Sequence, residues 1–241
     1  MKKPLKSMRT FALAAILTAG TALTSITNAA PSESSIKLLT ASFAPRQVVQ
    51  VEVGDFHFIP GQVAPIHTHT APAVGYVAKG MIIYQLEGGK PQILRAGDAF
   101  FEPTGTRVLR FDNASATEEA IFLDFNLEQA GEPFIVFEEQ PTEAIDRRAL
   151  PTISLGENGE DINQTDVYTN EIAPDETLTL NAAEPMLGLV AEGVIEFRIE
   201  GEAVQRIAAG SAFALPTVGS DATITNGSAD TSAKVITFTL Q

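Results

Sequence analysis

The 241-residue chain has no cysteine, no tryptophan and only three histidines. Without cysteine there are no disulfides, thiolate metal sites, iron–sulfur clusters, thiol nucleophiles or lipidated thiols. Basic residues are scarce as well: 16 Lys+Arg stand against 30 Asp+Glu, a net charge of −14. That balance excludes a nucleic-acid partner, because phosphate binding draws on clustered Lys and Arg. Helical periodicity is weak, and Glu138–Arg148 is its best stretch. No glycine-rich phosphate loop leads into a helix, and Gly-x-Ser-x-Gly does not occur. Three histidines confined to one half leave few places for a Ser–His–Asp triad. Two carboxylates converging as in a glycosidase stay open, although no spacing favours them. What is present is a globular composition, 44% hydrophobic with 18 Gly and 14 Pro, long enough for one large domain or two small ones.

Residues 1–29 read as an export signal. Lys2, Lys3, Lys6 and Arg9 precede an apolar run from Phe11 to Leu23, and Thr27-Asn28-Ala29 supplies the small residues of a cleavage site. The run is about 13 residues, short of the roughly 20 that span a bilayer. The expectation is a periplasmic or secreted protein with no membrane attachment after cleavage. Loss of the leader removes four positive charges and no negative ones, leaving 12 basic against 30 acidic residues, a net −18. Residues 30–41 are expected to be a polar tail.

The remainder is a duplication. At an offset of about 113 residues the chain matches itself at about 22 of roughly 69 positions. Pro72–Gly80 faces Pro185–Gly193, Ala96–Phe100 faces Ala209–Phe213, and Asn113, Ser115, Phe125 and Leu127 recur as Asn226, Ser228, Phe238 and Leu240. Each copy reads as short strands set off by turns. Val49–Val53 alternates with period two, Gly75–Leu86 ends at the hairpin signal Glu87-Gly88-Gly89-Lys90, and Ala120–Leu127 is an apolar strand broken by Asp124. Such a pattern predicts an all-β chain of two tandem sandwich or barrel domains, residues 42–137 and 166–241. Residues 138–165, rich in charge, Pro and Gly, are expected to link them.

Two motifs carry a family resemblance. Gly61, His67, His69 and Gly80 fall at the spacing of the first cupin motif, and Gly97, Pro103, Gly105 and Asn113 at that of the second. Phe100-Phe101-Glu102-Pro103-Thr104-Gly105 is similar to the segment that opens the second motif in one cupin subgroup. The chain thus resembles a bicupin, two double-stranded β-helix (jelly-roll-like) barrels, distantly similar to quercetin dioxygenase and oxalate decarboxylase. The resemblance implies one divalent transition metal (Fe, Mn, Ni or Cu) in the first barrel, a small-molecule ligand, and association of copies through sheet edges. Two ligand positions depart from the pattern: the motif's Glu is Ala73 and its third His is Val108. In the second copy Leu180 and Ala182 stand where His67 and His69 do, so that barrel is expected to hold no metal.

His67 and His69, two apart on a strand, share one face and can both point inward. Two imidazoles alone are a thin site; either Glu102 supplies a third ligand or the pair lines a polar pocket. By alternation His57 faces away from Phe56 and Phe58 and is no ligand. Arg110, two residues beyond Val108, is expected on the inner face, either as an anchor for an anionic ligand or paired with Asp112 or Glu102. Tyr84 and Tyr76 line the mouth or serve as ordinary strand aromatics. Three functions are compatible: a small-molecule binder without catalysis, a metal-dependent dioxygenase or decarboxylase on His67 and His69, and a structural or partner-binding protein.

Overall fold

The computed structural model describes residues 35–181, 183–215 and 221–241. The leader expected over residues 1–29, the first part of the polar tail and Ala182 lie outside these residues. Every described element is a strand. The first half holds β1 (Ser35–Val48), β2 (Gln50–Phe58), β3 (His67–Thr68), β4 (Ala73–Lys79), β5 (Met81–Leu86), β6 (Gln92–Arg95), β7 (Ala99–Glu102), β8 (Val108–Asn113) and β9 (Ala120–Glu128). Three short strands follow: β10 (Val136–Phe137), β11 (Asp146–Ala149) and β12 (Ile153–Ser154). The second half holds β13 (Glu160–Ile172), β14 (Thr177–Asn181), β15 (Met186–Glu192), β16 (Val194–Ile199), β17 (Gln205–Ala208), β18 (Ala212–Leu215), β19 (Asp221–Asn226) and β20 (Ala233–Leu240).

One sheet of the first barrel runs β11-β2-β9-β4-β7, with β12 also paired to β2, and the other β10-β3-β8-β5-β6. The second barrel repeats the order as β1-β13-β20-β15-β18 and β14-β19-β16-β17. The duplication extends to single hydrogen bonds. The Gly97 N–H donates to the Val77 carbonyl and that of Gly210 to the Val190 carbonyl, each at 2.9 Å. Asn113 and Asn226 each cap their own turn, accepting from the N–H of Ser115 and of Ser228 at 2.9 Å. Gly75 faces Phe100 in the ladder and Gly188 faces Phe213, and a Cβ at either glycine would overlap the opposite ring.

Two expectations about the chain's organisation change. Residues 35–41 are not tail but the first half of β1, which pairs antiparallel with β13 and so joins the second barrel's sheet. Lys37 and Thr40 anchor it there on Asp166, at 2.8 and 2.5 Å. The stretch 138–165 is likewise no free linker: β11 and β12 return to β2, and β13 begins at Glu160. Glu138–Arg148 contains no helix. Each barrel therefore finishes a sheet with chain from beyond its own repeat, because β2 and β13 would otherwise present unpaired edges.

The two barrels share a core. On β9, Phe122, Asp124 and Asn126 alternate with Leu123, Phe125 and Leu127. Leu123, Phe125 and Leu127 join Leu187, Leu189 and Phe238 of the second barrel in one cluster, with the Phe125 and Phe238 rings 4.4 Å apart. Phe122 lies in a separate cluster inside the first barrel, with Phe58, Phe100 and Phe111. A strand buried on both faces has no reason to show polar alternation, which is why β9 reads as a nearly continuous apolar run. Phe238→Ala should cost about 3–5 kcal/mol, the usual range for emptying a buried aromatic site. Urea denaturation followed by circular dichroism should show one transition at a lower midpoint, since the lost ring supports both barrels. Two separate transitions, with the first barrel's midpoint unchanged, would show the barrels to be energetically independent.

Candidate metal centre

His67 opens β3 and His69 follows two residues later, and both are buried. Their orientation is set from behind. His67 Nδ1 lies 2.8 Å from the Pro65 carbonyl, and His69 Nδ1 lies 3.0 Å from Asn126 Oδ1. The Asn126 amide in turn donates to the Phe134 carbonyl at 2.6 Å, so its oxygen is the atom turned to His69. Both rings thus carry their proton on Nδ1 and present Nε2 forward, the arrangement by which second-shell acceptors orient metal-ligating histidines.

Glu102 faces them from the end of β7. Its Oε2 is 3.0 Å from His69 Nε2 and its Oε1 3.9 Å from His67 Nε2. In the ladder Glu102 stands directly opposite Ala73. Side chains directly opposite on antiparallel strands share a face. The carboxylate missing at Ala73 is therefore supplied from the neighbouring strand, and the methyl of Ala73 leaves it room. Val108, the position of the missing third histidine, is paired with His67 and buried.

The charges are strained by burial. Desolvation alone would push the His69 imidazolium down, but the Glu102 carboxylate beside it, with Asp124 and Asn126, lifts its pKa to about 9. His67 goes the other way, its pKa lowered chiefly by desolvation. Asp124, fully enclosed and 3.9 Å from His69 Nε2, has its pKa pushed up to about 7, mainly by desolvation. Glu102 Oε1 and Asp124 Oδ1 are buried without a hydrogen-bond partner. A buried carboxylate oxygen left unpaired is costly, and a cation relieves it.

A metal ion fits this donor set. The ligand atoms of His67, His69 and Glu102 all lie within 4.8 Å of one another, and no other such group is found among the described residues. Two imidazoles with one carboxylate is the set of non-haem iron oxygenases, which leaves coordination positions open. In the second barrel the positions of His67 and Glu102 are occupied by the buried hydrocarbon of Leu180 and Leu215.

The remaining expected site residues fall elsewhere. Arg110 is half-exposed and ion-paired with Asp112 at 2.8 Å. The pairing of β5 with β8 slips between Gln85↔Arg110 and Leu86↔Val108, and that bulge breaks the alternation so that Phe111 takes the inward position. Tyr84 is not in the pocket either. It packs in the first barrel's core against Phe111, with its hydroxyl donating to the Phe101 carbonyl. Tyr76 belongs to the cluster shared by the barrels. His57 faces outward, between Asp55 and Glu119 at 3.2 and 3.3 Å. Asp124 and Asn126 were not anticipated at the site. The signal was there, since a lone carboxylate interrupting an apolar strand is seldom structural.

The cavity in front of the three ligands is lined by Phe56, Phe58, Phe111, Phe122 and Asp124 and, from the stretch after β9, by Ile135, Phe137 and Ile145. It is tight, with about 20 Å3 of free volume, a little more than one water requires. Phe137 lies edge-on to His67 with ring centres 5.9 Å apart.

Comparisons with known proteins point to the same fold. Residues 54–126 match the cupin domain family, and the chain has the two-barrel fold of a bicupin. Among solved structures, AerE from Microcystis aeruginosa is 15% identical, with a TM-score of 0.57 over 83% of this chain and 98% of that one. Salicylate 1,2-dioxygenase from Pseudaminobacter salicylatoxidans is 14% identical, with a TM-score of 0.55 over 80% and 71% of the two chains. Vicilin from Corylus avellana (hazelnut) is 14% identical, with a TM-score of 0.58 over 86% of each. At such identities the likeness is one of fold. Among curated proteins, none matches the sequence.

The shifted groups predict a pH dependence for the metal-free protein. A pKa raised on folding contributes stability that is present below the unfolded value and lost as pH rises through the folded one. For His69 that window runs from 6.5 to about 9, and for Asp124 from 3.8 to about 7. Stability in the presence of chelator should therefore fall as pH rises from 7 to 9. Glu102→Gln, which removes the charge that lifts His69, should flatten that arm; equally steep curves for both proteins in urea titrations would refute the pairing.

Proposed function

We propose that the protein is an exported bicupin whose first barrel holds one divalent transition metal on His67, His69 and Glu102 and acts on a small molecule as a metal-dependent oxidoreductase. One observation carries this reading: three buried ligand atoms converge within 4.8 Å, and one oxygen of the carboxylate has no other partner. Iron or manganese suits the mixed imidazole and carboxylate set. When bound, such an ion supplies Lewis acidity and open positions for oxygen or a chelating substrate.

The chain's own residues prepare that chemistry. Pro65 and Asn126 hold the two rings in the tautomer that offers Nε2. Phe137, Ile135 and Ile145 add apolar surface to the cavity beside the centre, which lowers the local dielectric and strengthens charge interactions there. The second barrel, apolar within, contributes β13 and β20 to the joint core and leaves the chemistry to the first. The presence of a cavity beside buried ionisable groups weighs against a purely structural protein. The small free volume favours one second reading, a metal-held small-molecule binder without turnover.

Elemental analysis of protein purified without a histidine tag should find close to one Fe or Mn per chain. Glu102→Gln and the double change His67→Ala/His69→Ala should each lower metal affinity at least about tenfold, the effect expected of losing a ligand or its support. Val108→His, placed opposite His67, should raise it. A wild-type protein that takes up no metal on reconstitution would overturn the proposal. Oxygen consumption with candidate substrates separates turnover from binding alone.

A further inference from the structure

Two asparagines of the chain are followed by glycine, Asn158 by Gly159 and Asn226 by Gly227. In that dipeptide the main-chain nitrogen after the asparagine can approach its side-chain carbonyl carbon, because glycine carries no side chain to obstruct it. The fold treats the two differently. Asn226 is 6% exposed, and its amide donates to the Ile172 and Thr231 carbonyls at 2.9 and 2.8 Å. Its Oδ1 accepts from the Ser228 N–H, and the Gly227 N–H donates to the Val194 carbonyl, each at 2.9 Å. Nucleophile and target are both engaged. Asn158 is exposed in the turn from β12 to β13, and the Gly159 N–H makes a longer turn bond, 3.2 Å to the Gly156 carbonyl.

The turn that holds Asn158 is packed against the end of β1. Gly159 has a φ of +65°, and a Cβ on it would come 2.5 Å from the Val48 carbonyl oxygen. Beyond it Glu160, Asp161 and Ile162 of β13 pair with Val48, Gln47 and Arg46 of β1. An irregularity between Ser42 and Arg46 separates these three pairs from the rest of the β1–β13 ladder. A short run of pairs at a sheet edge, cut off by a bulge and closed by one turn, opens more readily than a continuous ladder.

We infer that Asn158 is a site of spontaneous deamidation, and that its isoaspartate product releases the end of β1 from β13. The Gly159 amide nitrogen gives its proton to solvent and bonds to Asn158 Cγ; the Cγ–Nδ2 bond breaks, and the side-chain nitrogen leaves as ammonia. Water then opens the resulting succinimide at either carbonyl, giving aspartate or isoaspartate. No electrons change hands, and water is the sole co-reactant. In isoaspartate the main chain runs through Cβ and Cγ and is one carbon longer. Glu160 then cannot meet Val48 in register while Gly159 keeps its place against the Val48 carbonyl. The inference does not draw on the metal reading.

The full chain, aged in mildly alkaline buffer, digested and read by mass spectrometry, should show Asn158 converting at least about tenfold faster than Asn226, which reacts only through local opening. In urea the two should convert at similar rates, because the fold alone separates them. Hydrogen exchange in the aged protein should be faster at Arg46–Val48 and Glu160–Ile162 than in the fresh one. Asn158→Asp brings the charge without the extra carbon and should exchange as the fresh protein does. Asn158→Gln, aged alike, should show neither the conversion nor the faster exchange. Equal conversion of the two asparagines in the folded protein, an isoaspartate form that exchanges like the fresh protein, or the same loosening in aged Asn158→Gln would overturn the inference.

Discussion

A carboxylate buried against two imidazoles is the constraint around which the first barrel is arranged. Glu102 sits in an apolar interior with one oxygen on His69 and the other unpaired. Such a charge is tolerated only beside a cation, whether a proton shared with His69 or a metal ion displacing it. Everything near it serves that requirement. Asn126 and Pro65 fix the rings, Ala73 clears the space, and Phe137 packs edge-on to His67. The three groups could thereby hold a cation before any question of reaction arises.

Duplication explains how one barrel can afford this. The two copies agree in strand order, in glycine turns and in the asparagine caps that tie each turn. They differ at the ligand positions, where the second copy carries Leu180 and Leu215. An apolar interior is the more stable choice, so the second barrel and the shared cluster around Phe125 and Phe238 supply stability that the charged interior of the first does not. Exchange of chain between repeats adds to this. β1 completes the second barrel's sheet while β11 and β12 cover the first barrel's β2, so neither copy is an independent module.

Part of the cavity lining follows from the same exchange. The stretch after β9 supplies Ile135, Phe137 and Ile145 to the cavity lining before the chain enters the second barrel. A sequence rich in charge, Pro and Gly hides this role, because its few apolar residues are irregularly spaced and show no period. The same blindness applies to β1, whose polar start is compatible with a tail until a partner strand is in place.

Fold class, duplication and the pair His67 and His69 were legible because each depends on local pattern: period-two alternation, glycine where the chain turns, two residues on one face of a strand. Local pattern also exposed what was missing, at Ala73 and Val108. It failed where the register slips, as at the bulge that turns Arg110 outward and Phe111 in. It failed again where burial decides, as with Tyr84 in the core and Asp124 in the cavity wall. The sequence by itself determined which strands form and which ligand types are at hand. Only the tertiary structure decided that Glu102 faces the two histidines from opposite Ala73 and that, among the described residues, no arginine lines the cavity, because both depend on which strands become neighbours and which face each turns inward.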